Sequence, residues 1–195
     1  MPICKIWFRK EVAMSKTVSF CILSKKELDK AIESLKDYKK ELNEKIELFT
    51  KKLAEKGVKI AKDNVSTHQA IGTGTLIDSI TLKAGDVVKN GSCYYIYTDC
   101  EYASFVEFGT GVVGAGKENK PTYPYEMPEG VDWNYASGPH IFTTKDGRTG
   151  WYFPTEDGYR FTEGMESRPF MTETAIMLSM QVVEVAKEVF GGASA

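Results

Sequence analysis

The feature that most constrains this chain is a single apolar stripe along an unusually long helical segment. Spacings of three, four and seven separate the apolar residues Leu28, Ile32, Leu35, Leu42, Ile46, Phe49 and Leu53. The stripe predicts a helix over 24–63, roughly 39 residues or about 58 Å long, which begins at a Ser24/Glu27 capping box and has a kink at Gly57. Because this exceeds the expected width of the remaining domain, we expect part of the stripe to pack on another subunit.

The size and composition of the chain predict one globular domain, and its helix and strand patterns predict the α+β class. It has 195 residues, of which 42% are hydrophobic, and a chain of this size needs no metal or disulfide to stabilise its core. We expect a small antiparallel sheet packed with a long N-terminal helix and a C-terminal helix. The predicted organisation is a leader or arm over 1–16 and a single domain over 17–195, divided into a long helix (24–63), a sheet with motif residues (73–111), a loop and hairpin insertion (112–165) and a C-terminal helix (169–190).

Three short segments before the insertion have strand patterns. Alternating apolar residues predict strands over Thr17–Leu23 and Leu76–Lys83. The Asn90-Gly91 dipeptide suits a tight hairpin turn, so Val87–Val88 and Cys93–Thr98 are expected to pair antiparallel across it.

Two further helices are predicted beyond that hairpin. Glu101–Phe108 is read as a short helix that ends at Gly109, with Ala103, Phe105 and Val106 facing inward. Pro169, which the first turn of a helix tolerates, opens the last helix. One face of that helix is predicted to carry Phe170, Thr174, Met177, Leu178, Val182, Val185 and Val189.

The insertion over 112–165 is rich in Gly, Pro, Tyr and Trp and has no long periodic run. Inside it, Ile141–Thr144 and Trp151–Phe153 flank the turn Lys145-Asp146-Gly147-Arg148 and predict a hairpin. A second turn at Asp157-Gly158 precedes Tyr159–Thr162. Loops of this length are usually functional.

Charge and composition disfavour nucleic-acid and membrane partners. The formal net charge is −2, with no basic excess for a phosphate backbone, and the lysines of the long helix alternate with acidic residues. No run of about 18 apolar residues is present to predict a membrane span. The four cysteines, Cys4, Cys21, Cys93 and Cys100, are expected to stay reduced in the cytoplasm of the cell that makes the protein.

The chemical motifs in the chain are incomplete. Gly109-Thr110-Gly111-Val112-Val113-Gly114 spells a dinucleotide-binding fingerprint, but 117–128 contains three prolines and no helical period, so we interpret it as a flexible glycine-rich loop. Cys93 and Cys100, with His68 or His140, lack the paired spacing of zinc ligands. We therefore predict no catalytic, cofactor-binding or metal-binding residues and no enzyme activity.

Three segments resemble a known family. They are Thr73-Gly74-Thr75-Leu76-Ile77-Asp78-Ser79-Ile80, Tyr102-Ala103-Ser104-Phe105-Val106-Glu107-Phe108-Gly109-Thr110-Gly111 and Arg168-Pro169-Phe170-Met171. In this order they resemble the tail-component family of siphophages of the Hong Kong phage type, also described as tail-completion or neck proteins. The second segment is the most specific of the three.

The resemblance implies a structural virion protein that acts in tail completion and head–tail joining. It implies assembly as a ring, partners among the neighbouring neck and tail-tube proteins, and a location in the virion neck. Interface roles are predicted for Tyr102, Phe105, Glu107, Phe108, Gly109, Tyr123, Tyr125, Trp133, Trp151 and Phe170, because aromatic residues are enriched in interface cores; packing in an ordinary core is the equal alternative.

Two other functions stay open from the sequence. A tail terminator or another minor tail or capsid protein would share the structural role at a different place in the particle. A phage-encoded hydrolase would need paired carboxylates, for which Asp99, Glu101, Glu107 and Asp132 are the candidates.

Overall fold

The structure, a computed structural model, describes residues 25–70, 74–85, 92–117, 120–135 and 141–191. Its dominant element is helix α1 (Lys25–Thr67), which confirms the predicted long helix and extends it by four residues. α1 continues without interruption through Gly57, the position of the expected kink. Gly57 is buried there, and a Cβ would meet the side chains of Ile96 and Leu178, so the glycine allows close packing.

The second long helix, α5 (Phe170–Phe190), runs antiparallel to α1 and is confirmed in its predicted place. The rings of Phe49 and Phe190 are 5.8 Å apart at one end of the contact. At the other end, the buried Asn64 amide donates to the Phe170 carbonyl oxygen at 3.2 Å. Most of the predicted inner face is buried or half-buried, but Met177 is 44% exposed; Met171 takes a core position instead.

A two-stranded antiparallel sheet packs beside α1. Strands β1 (Thr81–Ala84) and β2 (Tyr94–Tyr97) pair with Leu82 opposite Ile96. The predicted strand over Cys93–Thr98 is confirmed at Tyr94–Tyr97, where it pairs with Thr81–Ala84. Its predicted pairing with Val87–Val88 and the Asn-Gly turn lie outside the described residues, as does Thr17–Leu23.

The predicted strand over Leu76–Lys83 is wrong in its first half. Residues Thr75–Ser79 form a short helix, α2, and the strand begins at Thr81. Leu76 and Ile80, each 1% exposed, still reach the core. The four-residue spacing of these two residues fits a helical turn as well as one face of a strand, and packing against the core selects the helix here.

Two short helices carry the glycine-rich motif. Helix α3 (Ala103–Phe108) is confirmed with Ala103 and Val106 buried, but Phe105 points outward. The expected flexible glycine loop is wrong, because Gly111–Ala115 forms helix α4. Bridges from Thr110 and Gly111 to strand β6 (Gly164–Met165) fix this segment.

A three-stranded antiparallel sheet in the insertion confirms both predicted hairpins. Its strands are β3 (Phe142–Thr143), β4 (Thr149–Thr155) and β5 (Gly158–Thr162), in the order β3-β4-β5. The register places Tyr152 opposite Phe161. Within the described ranges, no helix is long and apolar enough to cross a membrane.

One apolar core joins both long helices, α2, β2 and α3, so the fold is α+β as predicted. Its buried members are Leu53, Ala61, Val65, Ala70, Leu76, Ile80, Ile96, Ala103, Val106, Phe170, Met171, Leu178, Val185 and Val189.

Candidate assembly surfaces

The second and third motif segments meet at the start of α5. Glu107, at the end of α3, is fully buried and accepts hydrogen bonds from the backbone N–H groups of Met171 at 2.8 Å and Thr172 at 2.9 Å. The Arg168 N–H donates to the Val106 carbonyl oxygen at 2.7 Å. Pro169 supplies no side-chain cap for α5, so Glu107 satisfies two of the amides that a helix N-terminus leaves without partners.

Two opposing effects act on the charged form of the Glu107 carboxyl at this contact. Burial raises the pKa of the Glu107 carboxyl, while hydrogen bonds from the Thr172 hydroxyl and the two amides lower it. A carboxylate at a helix N-terminus also interacts favourably with the helix dipole. The Tyr123 hydroxyl lies 2.6 Å from the Thr172 hydroxyl, which ties the insertion to the same contact.

The end of α1 is linked to the start of α5 by further polar contacts. His68 Nε2 lies 2.8 Å from a Glu173 oxygen, and the Arg168 guanidinium donates to the Gln69 carbonyl oxygen at 3.2 Å. The Tyr125 hydroxyl is 3.5 Å from the other oxygen of Glu173. α1, α3, the insertion and α5 are therefore joined at one place.

Five aromatic rings form a continuous line next to this joint, which we call the aromatic row. In order they are Tyr125, Tyr123, Phe108, Trp133 and Phe105, with successive centroids 5.7, 5.1, 5.2 and 5.8 Å apart. The inner rings Tyr123 and Phe108 are buried, whereas the outer rings Tyr125 and Phe105 are 37% and 43% exposed. The Trp133 indole N–H donates to the Gly109 carbonyl oxygen at 2.9 Å. A rigid row with exposed ends is suited to contact with another protein.

A second aromatic surface lies on the three-stranded sheet. The rings of Phe142, Tyr152 and Phe161 are mutually 5.4–5.9 Å apart and share one face with Tyr159, which is 76% exposed. We call these four residues the aromatic sheet face. None of these four residues is in the predicted interface set. The strand alternation and the two hairpin turns were the sequence signals for a shared face, since register places paired side chains on one face.

A cleft of about 400 Å³ separates the sheet from α4. Its wall includes Trp133, Tyr135 and Trp151, together with Asp132 and Asn134. One glycine of the fingerprint, Gly111, lines this cleft, and close packing of the backbone requires a glycine there. Gly111 has φ +64°, and a Cβ would collide with the Glu163 carbonyl oxygen.

The ten predicted interface residues divide into three groups. Glu107, Phe108, Gly109, Tyr123 and Phe170 are buried; Tyr102, Trp133 and Trp151 are half-buried; Phe105 and Tyr125 are exposed. The structure brings five of them together in the aromatic row. Trp151 lies across the cleft, and Tyr102 and Phe170 pack with the main core.

The titratable residues form no complete catalytic or metal-binding group in the described part of the chain. Asp99, Glu101 and Asp132 are exposed, and both Glu107 oxygens are held by amides. No cluster of three or more His, Cys, Asp or Glu side chains that could hold a metal is found among the described residues. Cys93 and Cys100 are free thiols, while Cys4, Cys21 and His140 lie outside those residues.

The structure is that of a mixed α+β protein whose most distinctive surfaces are apolar and aromatic. Residues 29–109 match the family model described as "Bacteriophage HK97-gp10, putative tail-component". The resemblance inferred from the motifs is thus confirmed over this range, which contains α1 from its second turn, the first motif segment and the second segment up to Gly109. Arg168–Met171 lies outside the matched range. No curated protein and no solved structure matches the chain.

A tail-component family implies a place in the virion and association with other phage tail proteins. The α+β core explains the matched segment physically. Glu107 and Gly109, which lie in the most specific motif, respectively hold α5 and allow the turn between α3 and α4.

Proposed function

We propose that this protein is a non-catalytic structural component of a tailed-phage virion that completes the tail and joins it to the head at the neck. The match of residues 29–109 to the tail-component family carries this proposal. The protein works as a ring subunit, and its partners are copies of itself and the adjoining neck and tail-tube proteins. It assembles in the host cytoplasm and then remains in the virion.

The exposed aromatic groups support this role. The outer rings of the aromatic row, Phe105 and Tyr125, are held by buried neighbours, so a partner that contacts them orders few new torsions. The aromatic sheet face presents Tyr152 and Tyr159, which are 55% and 76% exposed. Heterologous contacts in a ring use two different patches of one subunit, and these two surfaces meet that requirement.

The interface roles predicted for the buried residues take a specific form in this proposal. Phe108, Tyr123 and Glu107 act from inside the subunit: they hold the aromatic row and the start of α5 in place. Direct contact with partners falls to the exposed and half-buried members, including Trp133 and Trp151.

The test is deletion of the gene from the phage or prophage that carries it, followed by negative-stain electron microscopy of the lysate. We expect filled heads beside separate or malformed tails, with complete virions restored by the wild-type protein. A Tyr152→Asp variant that folds normally should fail to restore them, whereas Lys145→Asp, in the exposed turn of the same sheet, should succeed. Normal virions after deletion would contradict the proposal.

Labelled electron microscopy of complete particles separates the neck role from that of a tail terminator. A label at the junction of head and tail supports the proposal. A label elsewhere on the tail would overturn the neck position while leaving the tail-component family intact.

A further inference from the structure

The N-terminal half of α1 projects beyond the helix that packs against it. α5 runs antiparallel to α1 and ends at Phe190, whose ring contacts Phe49. Residues 25–48 of α1 therefore extend past the end of α5 by about 36 Å, at 1.5 Å per residue. We call this segment the arm.

The arm carries a narrow apolar seam with a strict seven-residue repeat. Ile32, Lys39 and Ile46 occupy one position of the repeat, and Leu28, Leu35 and Leu42 occupy the other. Leu28, Ile32 and Leu35 are 40%, 44% and 50% exposed, and Leu42 and Ile46 are half-buried. Two seam residues in every seven is the pattern of a two-stranded coiled coil. Ala31 and Tyr38, on one flank of the seam, are buried and half-buried, so this flank is covered within the subunit and the open side of the arm is the one that carries Leu28, Ile32 and Leu35.

We propose that the arm pairs with the arm of a second copy of this chain as an antiparallel coiled coil. This pairing does not depend on the neck role, because it follows from the seam and from the position of α5.

The position of α5 selects the antiparallel orientation. The seam continues along α1 to Phe49 and Leu53, where α5 takes the place of a partner helix. A parallel second arm would continue along the same seam and run into α5. An antiparallel second arm lies end to end with α5 and begins where α5 stops.

The seam also selects one register. In antiparallel coiled coils each residue of one seam position faces the other position of the partner helix. Apolar matching is greatest when Leu28 faces Ile46 of the second copy and Ile32 faces Leu42 of the second copy. Leu35 then faces Lys39 of the second copy, and this polar pairing occurs twice because the pair has two-fold symmetry.

Charge at the two helix ends agrees with that register. Lys25 and Lys26 begin α1, so they lie near the C-terminal end of α5 from the second copy. A helix C-terminus carries partial negative charge and is stabilised by nearby cations. The same contact occurs twice, because the pairing has two-fold symmetry.

The pairing is expected to be weak in dilute solution. Contact over residues 28–46 is about 28 Å long, which corresponds to the low end of specific interfaces, near 1,200 Å² in total. Dissociation constants in the micromolar range are expected, and other contacts in an assembly would strengthen the pair.

Disulfide trapping tests the pairing, orientation and register together. In a full-length background with the four native cysteines replaced by serine, two separately tagged variants are prepared, Leu28→Cys and Ile46→Cys. Mild oxidation of their mixture should give the mixed dimer, whereas each variant alone should remain monomeric. The control mixture uses Glu44→Cys, on the outer surface of the arm, in place of Ile46→Cys.

Homodimers of Leu28→Cys alone would show parallel pairing and overturn the proposed orientation. No mixed dimer above the level of the Glu44→Cys control would overturn the pairing. If the mixed dimer forms only after residues 1–23 are removed, the chain's own N-terminus covers the seam, which also overturns the proposal.

A second measurement uses the polar pairing. Lys39→Leu places an apolar side chain opposite Leu35 of the second copy and should lower the dimer dissociation constant at least tenfold in sedimentation equilibrium. Lys40→Leu, one residue away on the exposed surface, should leave the constant within twofold. If both variants change the dimer dissociation constant equally, the seam is not the contact surface of the dimer.

Discussion

Replacement of Glu107 tests the contact between the two motif segments most directly. Its carboxylate accepts hydrogen bonds from two amides at the start of α5 and is completely buried. Glu107→Ala leaves both N–H groups without that acceptor. A buried unsatisfied donor costs about 1–3 kcal/mol, so two cost about 2–6 kcal/mol, and release of the buried carboxylate from its desolvation offsets part of this.

We therefore expect Glu107→Ala to lower the free energy of unfolding by about 3 kcal/mol, and Glu107→Gln by about 1–2 kcal/mol, since the amide oxygen of glutamine still accepts one hydrogen bond. For a chain of this size 1 kcal/mol corresponds to about 2–4 °C in Tm, so the alanine variant should melt about 6–12 °C lower. Urea unfolding followed by circular dichroism measures both variants.

The matched control is Glu101→Ala, at an exposed position near the start of the same short helix. It should change the free energy of unfolding by less than about 0.5 kcal/mol, as surface substitutions usually do. If Glu107→Ala is no more destabilising than this control, the carboxylate does not hold α5.

The pH dependence of Glu107 follows from the direction of its shift. Burial raises the pKa of this carboxyl above its ordinary 4.5 in the folded state, so the folded state binds the proton more tightly than the unfolded state. Its contribution is fully present below about pH 4.5 and is lost as pH rises through the folded-state pKa. The difference in the free energy of unfolding between the wild type and Glu107→Gln should therefore shrink as the pH rises above about 4.5; a difference that grows with pH would refute this reasoning.

Two further substitutions test the packing of the motif and the helix pair. Gly111→Ala should destabilise the protein by at least 3 kcal/mol in urea unfolding, because its Cβ would collide with backbone at φ +64°; Gly147→Ala, with positive φ but open space around it, should cost about 1 kcal/mol. Asn64→Ala should cost about 2–3 kcal/mol in the same assay, since its buried amide donates to both Phe170 and Thr174; a loss below 0.5 kcal/mol would exclude a structural role for this amide.

Periodicity was a reliable guide to the long elements of this fold. The stripe from Leu28 to Leu53 and the face from Phe170 to Val189 predicted α1 and α5 within a few residues of their observed ends, because many repeated side chains report the same helical period. Both hairpins of the insertion were also predictable, since their turn residues supply the conformations that tight turns require.

Short segments were less predictable. In a segment of a few residues, the free-energy difference between helix and strand is similar in size to the free energy gained by packing against the core. Leu76 and Ile80 fit both a strand and a helical turn, and burial of both against the core selects the helix α2. Gly111 marked a loop in the sequence; in the fold it allows α4 to lie against β6.

The sequence by itself determined the α+β class, the two long helices, the hairpins and the family motifs, because each is encoded by local period, turn chemistry or a contiguous string. Tertiary structure decided how the interface candidates divide between core and surface. Glu107 and Phe108 lie inside the subunit, whereas Phe105 of the same short helix lies outside. It also left the arm of α1 without α5 along its length. These outcomes depend on contacts between residues far apart in the chain, and local sequence carries no record of which distant side chains will meet.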